Sequence, residues 1–282
     1  MLKRFSDFIL FGNIYIALGA VCLIQSTIKQ LGFTDHLYYY SLLTFFATLF
    51  IYNLQRIFYS EVKDCNLNSI RRKWISEHQT TIKILTLIGF IGVLLSFFSN
   101  DYRIVFYLSP LLILSLAYFI PFVKLRKSAG FKLLTLSTVW TMTTALVPML
   151  LSNSSLSHPL ASWQMILHII LRFSFIMSIC IPFDIRDIAI DAAENVSTLP
   201  HKLGENKTKR LSVLFIVIYS VLIVLELLTK TISIASFVAL LLGMSVTLLL
   251  ILKCNSKRSE YYFVAGIDGT MILQGILLLL IA

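Results

Sequence analysis

The sequence has few charged residues and no recognisable group of metal-binding cysteines, and each shortage excludes a class of protein. Only 13% of its 282 residues are charged and 57% are hydrophobic, a balance that excludes an ordinary soluble globular protein. The four cysteines form no CxxC or Cys/His pattern, so they indicate neither a zinc site nor a redox motif. The first apolar stretch lacks a convincing cleavage site, and we therefore expect no cleaved signal peptide.

The sequence consists instead of apolar stretches of about 20 residues, the length that crosses a bilayer. We predict nine such spans, and therefore an all-α polytopic membrane protein with a single domain over residues 1–282. The links between the spans are short and leave no soluble domain. The predicted spans lie near residues 8–28, 38–56, 82–99, 103–123, 131–152, 163–183, 211–229, 232–252 and 262–281.

Positive charge is distributed unevenly between the links. Alternate links contain nearly all of the lysines and arginines, whereas the opposite side has only Lys29, Arg103 and Lys230. Because basic loops favour the cytoplasmic side, we predict an inner-membrane protein with its N-terminus in the cytoplasm and its C-terminus outside. The net charge of +10 is explained by this topology and by attraction to anionic membrane lipid, and we expect no nucleic-acid partner.

Three carboxylates, Asp184, Asp187 and Asp191, lie at the end of the sixth predicted span. Their spacing of three and then four residues places them on one helical face, where like charges repel unless a cation lies among them. Magnesium prefers oxygen ligands and is usually held by a few carboxylates together with the phosphates of a substrate. The three acids therefore predict a magnesium site.

The chain continues with Thr198-Leu-Pro-His-Lys202-Leu-Gly204. The acidic spacing and this sequel, at the end of a sixth helix among nine, closely resemble the second signature of the UbiA superfamily of intramembrane prenyltransferases. A second run, from Tyr118 to Lys127, is similar to the family's Tyr-x-x-Pro segment and its following basic loop. In a family member, Lys124, Arg126 or Lys127 would contact diphosphate oxygens.

The link after the second span departs from the family pattern. Relatives have Asn-Asp-x-x-Asp-x-x-x-Asp there, whereas this chain retains only the first and last positions, Asn53 and Glu61. In one interpretation, Arg56 replaces one metal ion by binding phosphate through paired hydrogen bonds. In the other, the site no longer ionises diphosphate and binds a lipid headgroup or a partner. We favour the first, because clustered carboxylates are unfavourable without a cation.

The resemblance implies Mg²⁺-dependent transfer of a prenyl group from a polyprenyl diphosphate to an aromatic or other lipophilic acceptor. Quinone precursors, haem and other rings are all open as acceptors. One alternative is a terpene cyclase that folds the prenyl cation onto itself. Another is a non-catalytic lipid-binding or transport protein with the same fold, although we find no internal repeat of the transporter type.

The resemblance, together with the chemistry of Arg56 and the depth of Asp268 in its span, predicts roles for individual residues. The metal ligands would be Asp184, Asp187, Asp191, Asn53 and Glu61. The catalytic set would be the three aspartates with Asn53 and Arg56. The substrate-binding set would be Lys124, Arg126, Lys127, Lys202, Arg72, Tyr118 and Asp268.

A few ionisable residues lie deeper in the predicted spans. His168 and Arg172 are four residues apart in the sixth span, and Glu226 lies in the seventh. Charges at this depth are functional candidates by default. We nevertheless predict a structural role, in which Arg172 pairs with Glu226 or Asp268 inside the bundle.

Overall fold

A computed structural model describes residues 2–34, 37–60, 69–119, 129–152, 162–193 and 196–282. These residues form helices and no β-strand, which confirms the predicted all-α class. The α-helices are α1 (Leu2–Phe11), α2 (Ile14–Leu31), α3 (Tyr38–Ser60), α4 (Ile70–Glu77), α5 (Gln79–Phe98), α6 (Arg103–Phe119), α7 (Ala129–Thr141), α8 (Val147–Ser152), α9 (Ser162–Arg186), α10 (Ile188–Ala193), α11 (Leu199–Leu203), α12 (Glu205–Leu228), α13 (Ile234–Lys253) and α14 (Gly269–Ile281). There are also two π-helical segments. Met142–Leu146 joins α7 to α8, and Tyr262–Ile267 leads into α14.

Within the described ranges, eight helical segments are long and apolar enough to cross a membrane. They correspond to eight of the nine predicted spans. The remaining predicted span, 103–123, is represented by α6, whose apolar part is shorter, and its last four residues lie outside the described part of the chain. The protein is therefore a multi-pass membrane protein with the predicted helical architecture.

The first span begins later than predicted, because the helix is interrupted at Gly12–Asn13. Asn13 adopts a left-handed conformation with φ 63°, which asparagine tolerates better than most residues. Its side chain donates a hydrogen bond to Asn53 Oδ1 (2.9 Å), and Asn53 Nδ2 donates to the Gly12 carbonyl (3.0 Å). The membrane-crossing helix is therefore Ile14–Leu31 rather than 8–28, since α3 supplies the hydrogen bonds that stabilise the break.

The centre of the bundle is α9. In its spanning segment 67% of the residues are buried, against 33% in α5, α12 and α13, so α9 is surrounded by other helices where those three face the lipid. α9 packs against α12 and α7. Its apolar residues Leu171, Phe175 and Ile179 form a core with residues of α2, α12, α13 and α14.

Small residues allow the closest helix contacts. A side chain at Gly89 of α5 would come within 2.7 Å of the Phe50 backbone nitrogen of α3, and one at Gly275 of α14 would come within 2.8 Å of the Cys22 carbonyl of α2. Helices in lipid gain their association energy chiefly from such close van der Waals packing. These contacts fix α3, which carries Arg56, against α5. They also fix α14, which begins beside Asp268, against α2.

Candidate functional site

The three aspartates lie where α9 gives way to α10. α9 ends at Arg186, Asp187 occupies the turn, and Asp191 belongs to α10. Hydrogen bonds from Asp187 N to Phe183 O (2.9 Å) and from Asp191 N to Asp187 O (2.8 Å) continue the helical pattern across the turn. Asp184 and Asp191 are only 0% and 2% exposed. Carboxylates this deeply buried need a cation or several hydrogen bonds.

A lysine supplies the cation between Asp184 and Asp191. Lys132, on α7, places its Nζ 2.7 Å from Asp184 Oδ1 and 3.6 Å from Asp191 Oδ2. The second oxygen of Asp184, Oδ2, is buried and has no hydrogen-bond partner among the described residues. One ammonium thus faces two carboxylates, and the formal charge of this group of three is −1.

Asp187 has a different partner, the arginine that precedes it. Arg186 Nε donates to Asp187 Oδ1 and Arg186 Nη2 to Asp187 Oδ2, both at 2.7 Å. Such bidentate pairs are the strongest of the common charge-assisted hydrogen bonds. Burial by itself would raise the pKa of the Asp187 carboxyl, but Arg186, with Arg71 and Lys132, holds that pKa well below its usual range. Asp187 is therefore an anion that is already paired.

Arg186 also belongs to a group of three basic side chains, Arg56, Arg71 and Arg186, which we call the arginine cluster. Arg186 Nη1 lies 3.6 Å from Glu260 Oε2, and Arg71 Nε lies 3.9 Å from the same oxygen. Arg56 lies in the electrostatic field of Arg71, Arg186 and Asp187. Burial, followed by repulsion from Arg186, lowers the pKa of the Arg71 guanidinium. Arg71 and Arg186 thus share Glu260, Arg186 also pairs with Asp187, and Arg56 lies in the electrostatic field of this group.

The arginine cluster has unused hydrogen-bonding capacity. Arg56 Nε, Arg71 Nε and Arg186 Nη1 are buried and have no hydrogen-bond partner within the described ranges. Arg56 also lines a small pocket together with Lys83. Aromatic rings hold Arg186 in position, because its guanidinium carbon lies 4.7 Å from the centre of the Phe183 ring and 5.8 Å from that of Phe263. This arrangement of donors suits an anion with several oxygens, such as a phosphate.

The contacts of Asn53 are hydrogen bonds within the helix bundle. It is completely buried, and its amide group donates to the carbonyls of Gly12 (3.0 Å) and Leu49 (2.9 Å) while accepting from Asn13. These hydrogen bonds use both donors and one acceptor position of the side chain. Its predicted role as a metal ligand stays a prediction, and the present contacts would have to rearrange for it.

The other predicted site residues are scattered. Lys202 is exposed on α11, and Arg72 on α4 is half-buried, with its backbone N–H directed at Ser69 Oγ. Asp268, half-buried at the start of α14, lies in the electrostatic field of Arg186 and Arg71. Tyr118 belongs to α6, but its side chain lies outside the described part of the structure. Glu61, Lys124, Arg126 and Lys127 also lie outside the described residues.

Two residues of the site, Lys132 and Glu260, could not be predicted from the sequence. Lys132 counts there only as one of many basic residues near a helix end, and Glu260 precedes two tyrosines without any motif. Glu260 is fixed by a hydrogen bond from Ser69 Oγ (2.6 Å) as well as by the two arginines. Lys132 reaches Asp184 and Asp191, and Glu260 reaches Arg71 and Arg186, only through tertiary packing, so spacing in the sequence carries no signal for either residue.

A second buried polar group, which we call the far cluster, consists of His168, Arg172 and Glu226. Arg172 lies twelve residues before Asp184 on α9, about 18 Å away along the helix. Glu226 Oε1 hydrogen bonds to His168 Nδ1 (2.9 Å). Arg172 Nη2 donates to three oxygens of α2, those of Ser26 (3.1 Å), Thr27 (3.1 Å) and Gln30 (3.2 Å). The predicted direct pair between Arg172 and an acid is therefore replaced by neutral hydrogen bonds, with Glu226 contributing through its field.

The sequence profile of the UbiA prenyltransferase family matches residues 69–268 of this chain. That range is most of the sequence and contains Arg71, Lys132, the three aspartates and Glu260. The chain belongs to the UbiA prenyltransferase family. Its fold and its multi-pass helical bundle are those of an intramembrane protein of the prenyltransferase type.

Solved structures show the same fold for this UbiA protein. A digeranylgeranylglyceryl phosphate synthase in membranes is similar at 16% identity, with a TM-score of 0.58 over 99% of this chain and 97% of that one. The apo structure of a UbiA homologue from Aeropyrum pernix K1 is similar at 12% identity, with a TM-score of 0.58 over 96% of this chain and 94% of that one. No curated protein matches the sequence significantly.

Magnesium, which UbiA prenyltransferases generally use, fits one part of this site. The unpartnered Asp184 Oδ2 and the neighbouring Asp191 carboxylate form an oxygen donor set for one ion. Two carboxylates suffice for Mg²⁺ when water and substrate phosphate complete its shell. Asp187 fits less well, since Arg186 occupies both of its oxygens. No group of three or more His, Cys, Asp or Glu side chains in the described residues is arranged to hold a metal alone.

Proposed function

We propose that this UbiA protein transfers a prenyl group from a polyprenyl diphosphate to an aromatic or other lipophilic acceptor, and that it requires Mg²⁺. The observation that carries the proposal is the juxtaposition of two unlike groups at one end of an apolar bundle. Asp184 and Asp191 form an anionic pair suited to a cation, and the arginine cluster forms a cationic group with unused donors. A metal-bound diphosphate is the ligand that presents both complementary charges.

The arginine cluster would bind the diphosphate directly. Arg56 Nε makes no hydrogen bond to a described residue, and Arg71 Nε and Arg186 Nη1 lie 3.9 Å and 3.6 Å from Glu260 Oε2, beyond hydrogen-bond distance, so each arginine could donate to a phosphate oxygen. The three positive charges also exceed the two negative charges of Asp187 and Glu260. We propose that these residues compensate for the two family aspartates that Leu54 and Ile57 replace. We propose that Lys124, Arg126, Lys127, Lys202, Tyr118 and Arg72 make further contacts with the substrate.

The proposed reaction breaks the bond between C1 of the prenyl chain and the diphosphate oxygen. Both bonding electrons leave with the diphosphate, C1 bonds to the acceptor, and the proton displaced from the acceptor passes to the released diphosphate. Mg²⁺ held by Asp184 and Asp191 would neutralise part of the negative charge that develops on the leaving group. The arginine cluster would stabilise the remainder, because preorganised cations act most strongly on charge that appears in the transition state.

The surrounding helices would exclude water from the reactive carbon. Water would intercept an allylic cation, so the reaction requires a dry site. The core beside the aspartates is apolar and aromatic, and Phe183 and Phe263 lie next to Arg186. The distribution of basic residues places the site, in our proposal, on the cytoplasmic side of the inner membrane.

The test is consumption of a labelled polyprenyl diphosphate by the purified protein. We expect diphosphate release that requires both Mg²⁺ and a membrane-lipid extract, together with a labelled lipophilic product. Asp187→Ala should abolish the release, because Arg186 would lose its fixed partner and the arginine cluster its geometry. Asp101→Ala is the matched control, since Asp101 is a partly exposed aspartate that pairs with Arg103 away from the site.

The same assay separates the alternatives. Diphosphate release and a cyclic hydrocarbon without any lipid extract would identify a cyclase instead. If no diphosphate is released under any condition, and wild type behaves like Asp187→Ala, the protein is a non-catalytic lipid-binding or transport protein. Mass spectrometry of lipid that co-purifies with the protein would then identify what it binds.

A further inference from the structure

Lys132 occupies the position between Asp184 and Asp191 that a bound cation would take. Its ammonium contacts Asp184 Oδ1 at 2.7 Å and Asp191 Oδ2 at 3.6 Å, and its side chain is 13% exposed. The two acids come from different helices, α9 and α10, and the lysine comes from a third, α7. The ammonium therefore connects three helices while it neutralises only one of two negative charges.

The ammonium and a metal ion would lie between the same two carboxylates, those of Asp184 and Asp191. Mg²⁺ needs its ligands at about 2.0–2.1 Å and has a charge of +2, so an ammonium between the same carboxylates would repel it. Lysine can leave such a position easily, because its charge lies at the end of a flexible stem with four carbons and is not held in a planar fork. The partial exposure of the side chain leaves it a route toward the outside of the bundle.

We propose that Lys132 is a positioning residue that serves as the counter-ion of Asp184 and Asp191 and moves to the diphosphate when the metal and the donor bind together. This inference rests on the proposed function. Before the donor binds, Lys132 keeps Asp184 and Asp191 close together and makes them a poor site for free metal. When the donor is present, its phosphate oxygens offer the ammonium a new partner, and the two carboxylates become available to the ion.

The proposal predicts opposite effects of one substitution on two binding events. Replacing Lys132 by methionine removes the competing charge, so metal should bind more tightly without donor. The donor loses a cationic contact, so it should bind more weakly. A role in folding alone would not produce this reversal, since a damaged site would bind both ligands less well.

The experiment is a titration of the full-length protein in detergent with Mn²⁺, followed by electron paramagnetic resonance, with and without a non-hydrolysable prenyl diphosphate analogue. A charge within about 4–6 Å changes a neighbouring ionic equilibrium by a factor of at least about ten. We therefore expect Lys132→Met to lower the Kd for Mn²⁺ about tenfold without the analogue. We expect the Kd for the analogue, measured with Mn²⁺ present, to rise about tenfold.

Three further variants complete the design. Lys132→Arg keeps the charge and should bind free Mn²⁺ as weakly as wild type. Lys132→Gln can still hydrogen bond to Asp184 and serves if the methionine variant does not fold; it too should bind free Mn²⁺ more tightly. Lys207→Met, at an exposed lysine of α12, should change neither affinity.

Unchanged or weaker Mn²⁺ binding in both neutral variants would overturn the role of Lys132. That failure differs from failure of the proposed function. If wild type releases diphosphate from a prenyl donor while the neutral variants bind free Mn²⁺ no better, only the inference about Lys132 is wrong. If wild type binds no Mn²⁺ even with the analogue and releases no diphosphate, both proposals are wrong.

Discussion

The far cluster and the cluster at the aspartates both contain residues of α9, and they differ in how positive and negative charges are matched. In the far cluster, His168, Arg172 and Glu226 are all 0% exposed, and Arg172 makes its hydrogen bonds to neutral oxygens of α2. At the other end of α9, cations and acids contact one another directly, and the numbers are unequal. Two acids share Lys132, and the arginine cluster has three arginines beside two acids, Asp187 and Glu260.

This difference indicates different roles for the two groups. Side chains from α2, α9 and α12 meet in the far cluster, so its polar residues join these three helices. At the aspartates, Asp184 and Asp191 have more negative charge than Lys132 balances, and the neighbouring arginine cluster has more positive charge than its acids balance. A charged ligand would complete this arrangement. We expect mutations in the far cluster to change the stability of the protein, and mutations at the aspartates to change ligand binding and activity.

The largest effect should follow from removing the buried cation of the far cluster. Arg172→Met leaves Ser26, Thr27 and Gln30 without their donor and Glu226 without a nearby positive charge. Breaking a buried charged group in this way typically costs about 3–5 kcal/mol of unfolding free energy. Unfolding in mixed micelles would measure the loss, and activity per folded molecule should be retained. A loss of activity without a loss of stability would contradict the separation of roles.

The next largest effect should come from Asp184. Asp184→Asn keeps the shape of the side chain but removes its charge, and we expect the rate of diphosphate release to fall at least about a hundredfold, as when a preorganised electrostatic contact is lost. The unfolding free energy should change little, because an amide still accepts a hydrogen bond from Lys132. Steady-state rates at saturating Mg²⁺ would test this. Activity near that of wild type would exclude Asp184 as a metal ligand.

Arg56 should have a smaller and more selective effect. Arg56→Ala removes one guanidinium from the arginine cluster, and we expect donor affinity to fall about tenfold while acceptor affinity is unchanged. Separate measurements of KM for donor and acceptor would show it. Equal effects on both substrates would mean that Arg56 supports the fold rather than the diphosphate.

The smallest effect should come from Asn53. Asn53→Ala removes the hydrogen bonds that hold the break between α1 and α2, with an expected loss of about 1 kcal/mol of unfolding free energy for this hydrogen-bonded group. The Kd for Mn²⁺ in the presence of donor should stay the same if the role of Asn53 is structural. A rise in that Kd would instead support the predicted role as a metal ligand.

Hydropathy was sufficient to predict the fold, because a bilayer demands long apolar helices and these dominate the sequence. It placed the first span too early, since the apolar run continues without change through Gly12–Asn13 and the left-handed turn depends on a distant partner. The spacing of the aspartates predicted a magnesium ion among them, and this stays a prediction. It could not show that the ammonium of Lys132 lies between Asp184 and Asp191, because Lys132 lies 52 residues from Asp184 in the chain. The partners of Arg172 were missed for the same reason.

The hydrogen bond between Asn13 and Asn53 also has a consequence for how the protein is made. The two residues are 40 positions apart, and Asn53 belongs to α3, which enters the membrane after α2. The turn between α1 and α2 can therefore be fixed only when α3 packs beside it. Their final orientation is set only when α3 has been inserted, so the earliest part of the chain is among the later parts to reach its mature geometry.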